Sequence, residues 1–272
     1  MKPYIKFLNY ITVLLICIFS SYSACAAGVS KHDEFCPGEK ITFEVRWAFV
    51  KAGEATLEVL PNEIMDGSTA YHFLYTAKTT KFVDTFYRIR DRIESYTDTD
   101  LTRSLLYKKR HESKRIKENT VIFDWDKKEA QSVSKGEVLN SIQLDENNLD
   151  PLSVFYAFRV GKPDKNNEIT INLTDGKRSI RSTAKMLKKK KITVNGTKYN
   201  TILVEPVIEG VSGVFEKSKN AKIKIWVTDD KRRIPVRIKS KVTVGSFVAD
   251  LISYTPGSEE DGIQSAQPVP AD

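Results

Sequence analysis

Three histidines, His32, His72 and His111, are the natural place to look for chemistry, because imidazole exchanges protons and binds transition metals near neutral pH. Their surroundings give that chemistry no frame. No His-Glu-x-x-His, no paired cysteines and no glycine-rich phosphate loop accompanies them, so no metal and no cofactor is expected. No serine stands in a Gly-x-Ser-x-Gly elbow, and Cys36, next to Pro37, has no local base to activate it. What is left is a set of carboxylates, Asp91, Asp124 and Asp126, the last two flanking Trp125. Paired acids beside a tryptophan would suit a glycan or cell-wall hydrolase. The same letters also describe a strand ending in a turn. Without a credible catalytic constellation, the chain is expected not to be an enzyme.

Two other residue classes suit binding. Phe43, Trp47, Phe49, Tyr71, Phe73 and Tyr75 crowd the first half of the chain, with Phe82, Phe86 and Tyr87 close behind. Core packing absorbs most rings of this kind, and a curved sheet carrying them on its concave face also encloses an apolar or amphipathic ligand. The run Lys188, Lys189, Lys190 and Lys191, continued by Lys185, suits contact with an anionic surface at about 1 kcal/mol per nearby basic residue. It suits equally the solvated edge of a hairpin, guarded against pairing with foreign strands.

The elements that must position these residues are strands. Ile41, Phe43, Val45, Trp47 and Phe49 are apolar at every second position, with Thr42, Glu44 and Arg46 between them, the period of a half-buried strand. Ala55, Leu57 and Val59 repeat the pattern after an expected turn at Lys51-Ala52-Gly53, which predicts a hairpin. Further strands are expected at 71–77, 88–96, 104–111, 120–125 and 131–134, with turns at Asp66-Gly67 and Lys135-Gly136. One short helix, over 150–160, starts at Asp150-Pro151, an N-cap oxygen followed by the residue favoured at the first helical position. Alternation resumes over 168–173 and 178–187. Asn195-Gly196 turns another hairpin, and strands follow around Ile223–Val227 and Ile234–Val244. The fold class is therefore mainly β: antiparallel curved sheets or a half-open barrel in two β-rich halves, 38–148 and 166–255, joined by the helix. Residues 256–272 form a polar tail expected to be disordered.

The first residues carry Lys2 and Lys6, then an apolar stretch from Tyr10 to Phe19, then Ala24-Cys25-Ala26-Ala27, the order of a secretory signal over 1–26. The stretch is too short to span a bilayer, which takes about 20 residues, and no later segment is longer. Two readings of its end remain: soluble release after Ala26, or lipid attachment at Cys25. Tyr22, where a lipoprotein signal has an aliphatic residue, favours soluble release into the periplasm. Cys36 is then the one cysteine of a soluble mature chain, so no internal disulfide is available and packing must hold the body together. It serves either as a link between chains or as a small residue in the turn before Pro37-Gly38. The formal charge of +8 falls to +6 without Lys2 and Lys6. An exported chain does not meet nucleic acid routinely, so the counterparts of this charge are anionic envelope components.

Four segments carry a resemblance. They are Gly38-Glu39-Lys40-Ile41-Thr42-Phe43 leading to Val50–Ala55; Tyr87–Tyr96 with Asp98; Leu149-Asp150-Pro151-Leu152-Ser153 through Arg159; and Trp226–Asp230 to Ile234-Pro235-Val236 with Val244-Gly245-Ser246. In this order the chain resembles the domain-of-unknown-function family 3108 of exported bacterial proteins. The resemblance implies an envelope location and a β-rich body, with no catalytic residues to carry over. The strand pattern is also similar to the unclosed barrels of outer-membrane lipoprotein carriers, where a bent sheet and a helical lid hold acyl chains. The expected functions are binding of a hydrophobic or amphipathic envelope component, or an interaction module that pairs an envelope protein partner along a strand edge.

Overall fold

The computed structural model describes His32 and residues 34–207, 223–241 and 246–258. The signal, Cys25, Val242–Gly245 and the end of the tail lie outside the described residues. Within them are β1 (Lys40–Trp47), β2 (Val50–Met65), β3 (Ser68–Thr79), α1 (Lys81–Asp84), β4 (Arg90–Asp98), β5 (Ser104–Glu112), β6 (Ile116–Asp124), β7 (Glu129–Ser134) and β8 (Glu137–Gln143). Then come α2 (Ser153–Val160), β9 (Glu168–Thr174), β10 (Ser179–Val194), β11 (Thr197–Val207), β12 (Ile223–Thr228), β13 (Pro235–Lys241) and β14 (Ser246–Thr255). All the strands join one antiparallel sheet in the order β8-β7-β6-β5-β4-β3-β2-β1-β14-β13-β12-β11-β10-β9. The mainly β class read from alternation is what forms. The ladder between β1 and β14, from Lys40↔Thr255 to Trp47↔Phe247, makes the two runs of strands continuous.

Most turns follow their chemistry. Asp66-Gly67, Lys135-Gly136 and Asn195-Gly196 all take positive φ at both positions, as two-residue hairpin turns require. The β1–β2 turn is displaced from its expected place. It falls at Ala48-Phe49, with Ala48 at φ 52, and Lys51 through Gly53 belong to β2. Gly53 is there for a different reason: a Cβ on it would lie 2.2 Å from the Lys78 carbonyl oxygen, so β3 leaves room for hydrogen alone. Three elements went unread: β8, β14 and α1. β8 is mostly exposed, with only Asn140 and Ile142 half-buried, and α1 is a single turn capped by the Thr80 hydroxyl, which accepts from the Val83 amide at 3.3 Å.

The sheet bends until its ends approach without pairing as strands. Residues just before α2 stitch the gap: the Ser104 amide donates to the Asn148 carbonyl, the Leu149 amide to Asn172, and the Thr174 amide to Leu149, at 2.9–3.0 Å. At the β9–β10 turn, a Cβ on Gly176 would lie 2.7 Å from a methyl of Val121, so this turn presses onto the inner face of β6. The barrel stays open. One core cluster draws on the whole circuit, including Ile41, Phe73, Val121, Leu173 and Val236. Pro256–Ser258, assigned to the tail from sequence, close against the start of β1, where the Ser258 amide donates to the Pro37 carbonyl.

Helix α2 runs through the interior and is anchored at both ends. The Asp150 carboxylate is fully buried; one oxygen accepts from the amides of Leu152 (2.8 Å) and Ser153 (3.0 Å). The other accepts from the hydroxyls of Ser95, Ser104 and Ser153 at 2.5–2.7 Å. The cap read from sequence is thus also the point where α2 is tied to β4 and β5. At the other end one Arg233 nitrogen donates to the carbonyls of Phe158, Arg159 and Gly161, satisfying acceptors that a helix end leaves open.

Candidate functional site

The first half of the sheet is filled. Phe43, Tyr71 and Phe73 point inward and are 0–3% exposed. Tyr156 of α2 stacks on Phe73 with ring centroids 3.8 Å apart, and Phe35 meets Tyr71, Phe73 and Tyr156 edge-on at 5.3–5.6 Å. Burial pushes the Tyr156 hydroxyl up, with Glu39 adding to the rise. Tyr75 continues the same face, half-buried, and its hydroxyl is raised by burial and by the charge of Asp91. Trp47 and Phe49 do not join this group. The turn at Ala48 carries them to the rim of the sheet, where they are 46% and 99% exposed.

The charges in this packing are matched. Arg159 of α2 reaches Glu39 through two nitrogens, at 2.5 and 3.0 Å, with both side chains almost wholly buried. Two further donors go to the carbonyls of Glu34 and Arg232. Burial alone would lower the Arg159 pKa, but the hydrogen bond and charge of Glu39 outweigh it and raise it.

The second half is built differently. Tyr156 of α2 faces the filled half, Phe155 and Phe158 face β9–β12, and Arg159, paired with Glu39, borders both. Between those two rings and the sheet lies a narrow cleft whose free space is about 40 Å³. Ile169, Ala184, Met186, Val204, Pro206, Ile225 and Val227 line it, and its surface is almost entirely hydrocarbon. Arg159 and Arg233 are its charged lining residues. Sequence reading passed over this site because its residues looked like ordinary core alternation. The available signal was the pair of apolar stripes on an eight-residue helix, more than a single interface uses.

The remaining sequence candidates fall elsewhere. Lys188–Lys191 lie in β10 and are exposed; there β10 pairs with β11, whereas its ladder to β9 covers only Ser179–Lys185. The run is therefore a hairpin edge. Lys189 pairs with Asp229 at 2.9 Å and Lys185 with Glu168 at 3.0 Å. Asp91 is engaged by His111 and Asp124 by Lys127. On the aligned ladders Asp91 lies opposite His111 and then Lys117, so Asp124 is seven residues further along β6, roughly 20 Å away at strand rise. These acids do not converge. Trp125 donates its indole N–H to the Ser104 carbonyl at 2.8 Å and lies under the Arg103 guanidinium, 4.9 Å from the ring centre. Cys36 begins a turn closed by the Glu39 amide on its carbonyl, with Pro37 and Gly38 (φ 85) in the middle positions. Among the described residues no helix is long and apolar enough to cross a membrane.

The model of the family described as "Protein of unknown function (DUF3108)" matches residues 42–252. Among solved structures, the chain is similar to a β-barrel-like protein of the domain of unknown function DUF1849 from Brucella abortus. That likeness has a TM-score of 0.50 at 8% identity, and covers 82% of this chain and 99% of the other. It concerns the fold alone. No curated protein matches.

Proposed function

The chain belongs to the DUF3108 family of proteins of unknown function, and on that premise we propose that it is a non-enzymatic protein of the bacterial envelope that holds an apolar or amphipathic molecule between α2 and β9–β12. The observation that carries this reading is the contrast inside one open barrel. Rings pack the first half solid, while between Phe155, Phe158 and β9–β12 a small hydrocarbon-lined cleft is left in the core. Ligand sites are mostly apolar with a few polar groups that fix orientation. Arg233 at the lining would fit the head of an anionic amphiphile. Export by the N-terminal signal and release into the periplasm complete the proposal.

The test is binding of a fluorescent apolar probe, N-phenyl-1-naphthylamine, to the purified chain. Met186→Trp, which fills the cleft from a half-buried position, is expected to weaken binding roughly tenfold with the fold unchanged by circular dichroism. Equal binding by the variant would refute the cleft as the site. Native mass spectrometry of protein taken from its own cells is expected to show a bound small molecule that the variant lacks.

A second reading rests on β8. This terminal strand of the sheet exposes Val138 (58%) and Leu139 (63%), the kind of edge to which a partner adds a strand. Crosslinking from cells that captures a protein along β8, with no small molecule in the cleft, would favour an interaction module instead.

A further inference from the structure

Trp47, Phe49, Phe82, Phe86, Tyr87 and Phe247 are all at least 40% exposed, and they come from three segments at one end of the sheet. Trp47 and Phe247 are register partners on β1 and β14, with rings stacked 6.5 Å apart. Phe49 forms the tip of the β1–β2 turn. The Thr80 amide donates to the Ala52 carbonyl at 2.9 Å, which sets α1 beside that hairpin, and Phe82 meets Phe86 edge-on at 5.7 Å. The segment is held firmly in this exposed position. Asp84 accepts from both terminal nitrogens of Arg90 and from the Thr79 hydroxyl, and the amides of Phe86 and Tyr87 return to the Val83 carbonyl.

Clustered exposed rings of this kind mark an interaction surface. The charges around them indicate what it meets. Residues 46–51 and 78–90 contribute Arg46, Lys51, Lys78, Lys81, Arg88 and Arg90 against one acid, Asp84. Acids return most of that charge, since Arg46 pairs with Asp250, Lys51 with Glu44, Lys78 with Glu54, Arg88 with Glu112 and Arg90 with Asp84. Lys81 and, in the β5–β6 turn at the same end of the sheet, the exposed Lys114 and Arg115 keep the balance cationic. Aromatic tips inside a basic collar are the composition that settles at the boundary between lipid tails and anionic headgroups.

We propose that this aromatic rim docks the protein on an anionic lipid surface, with Phe49, Phe82 and Phe86 entering the headgroup layer and the basic collar facing the lipid phosphates. The rim is separate from the cleft. In β11–β14, however, Pro206, Ile225 and Phe247 lie toward the same end of their strands, so a docked protein would bring the cleft's outer residues toward the membrane side.

Flotation of the full chain, as processed by its expression host, with phosphatidylglycerol-containing and with pure phosphatidylcholine vesicles tests the proposal. The native protein is expected to float with the anionic vesicles. Phe49→Ser combined with Phe86→Ser should weaken binding by roughly tenfold for each ring removed. Lys51→Glu with Lys81→Glu should abolish the preference for anionic lipid, at about fivefold per lysine. Met186→Trp should float as the native chain does, which separates failure of the rim from failure of the cleft. No binding to anionic vesicles, or binding unchanged by the two serines, would overturn the proposal. So would light scattering that showed a dimer turned to monomer by the same serines, because the rim would then be the seat of a second copy.

Discussion

Phe73 and Phe49 are the same side chain in the same half of the molecule, and both belong to apolar positions of strand-like alternation. Phe73 is fully buried, with Tyr156 stacked on one face and Phe35 against it edge-on. Phe49 is 99% exposed at a turn tip. What separates them is cover. Phe73 lies where α2 and the segment before β1 cross the concave face, whereas Phe49 lies beyond the last ladder pair, at Trp47↔Val50. Alternation sets which side of a strand a residue takes. It does not set where the strand stops or what lies over the face.

The largest effect that would sharpen this contrast comes from Phe73→Ala. Removing a buried ring between two others should cost about 3–5 kcal/mol of stability, measured as the shift of a denaturation midpoint at constant slope. A loss below about 1 kcal/mol would mean that the first half is not packed as described and has room for a ligand after all.

Asp150→Ala comes next. It removes the helix cap, worth about 1 kcal/mol, and leaves the Ser95, Ser104 and Ser153 hydroxyls short of a buried acceptor at about 1–3 kcal/mol in total after rearrangement. A combined cost of about 2–4 kcal/mol is expected. Because α2 also forms one wall of the cleft, probe binding should fall along with stability. If stability falls while binding holds, the cleft does not depend on where α2 sits.

The helix was legible to within three residues, starting at Ser153 rather than at Asp150-Pro151, because the contact of the Asp150 carboxylate with the Leu152 and Ser153 amides is local chemistry. The same holds for the turns at Asp66-Gly67, Lys135-Gly136 and Asn195-Gly196, whose backbone demands are met by their own side chains. Gly53 misled for the opposite reason: its role is to admit a carbonyl from β3, twenty-five residues away, and a glycine serving close approach looks like a glycine serving a turn. Glu39 and Arg159 were likewise unreadable as partners, because they are 120 residues apart and nothing local marks either as buried. The cleft escaped notice because Phe155 and Phe158 follow the helical period as faithfully as Tyr156 does. Only the bent sheet decides that one side is packed and the other borders a cleft.

The smallest expected effect is the most telling for the rim. Phe49→Ala removes as many atoms as Phe73→Ala, yet Phe49 leaves water no more in the folded chain than in the unfolded one, so no burial is lost. Its stability should stay within about 0.5 kcal/mol of the native chain, as for surface substitutions away from caps and special backbone. Ala48, with its positive φ, carries the turn and is untouched. A loss of 2 kcal/mol or more, by the same denaturation measurement, would mean that Phe49 is covered in solution by another part of the chain or by a second copy. With stability unchanged, a phenylalanine kept in water at a fixed tip contributes nothing to the fold, and its contribution must be sought in what the tip touches.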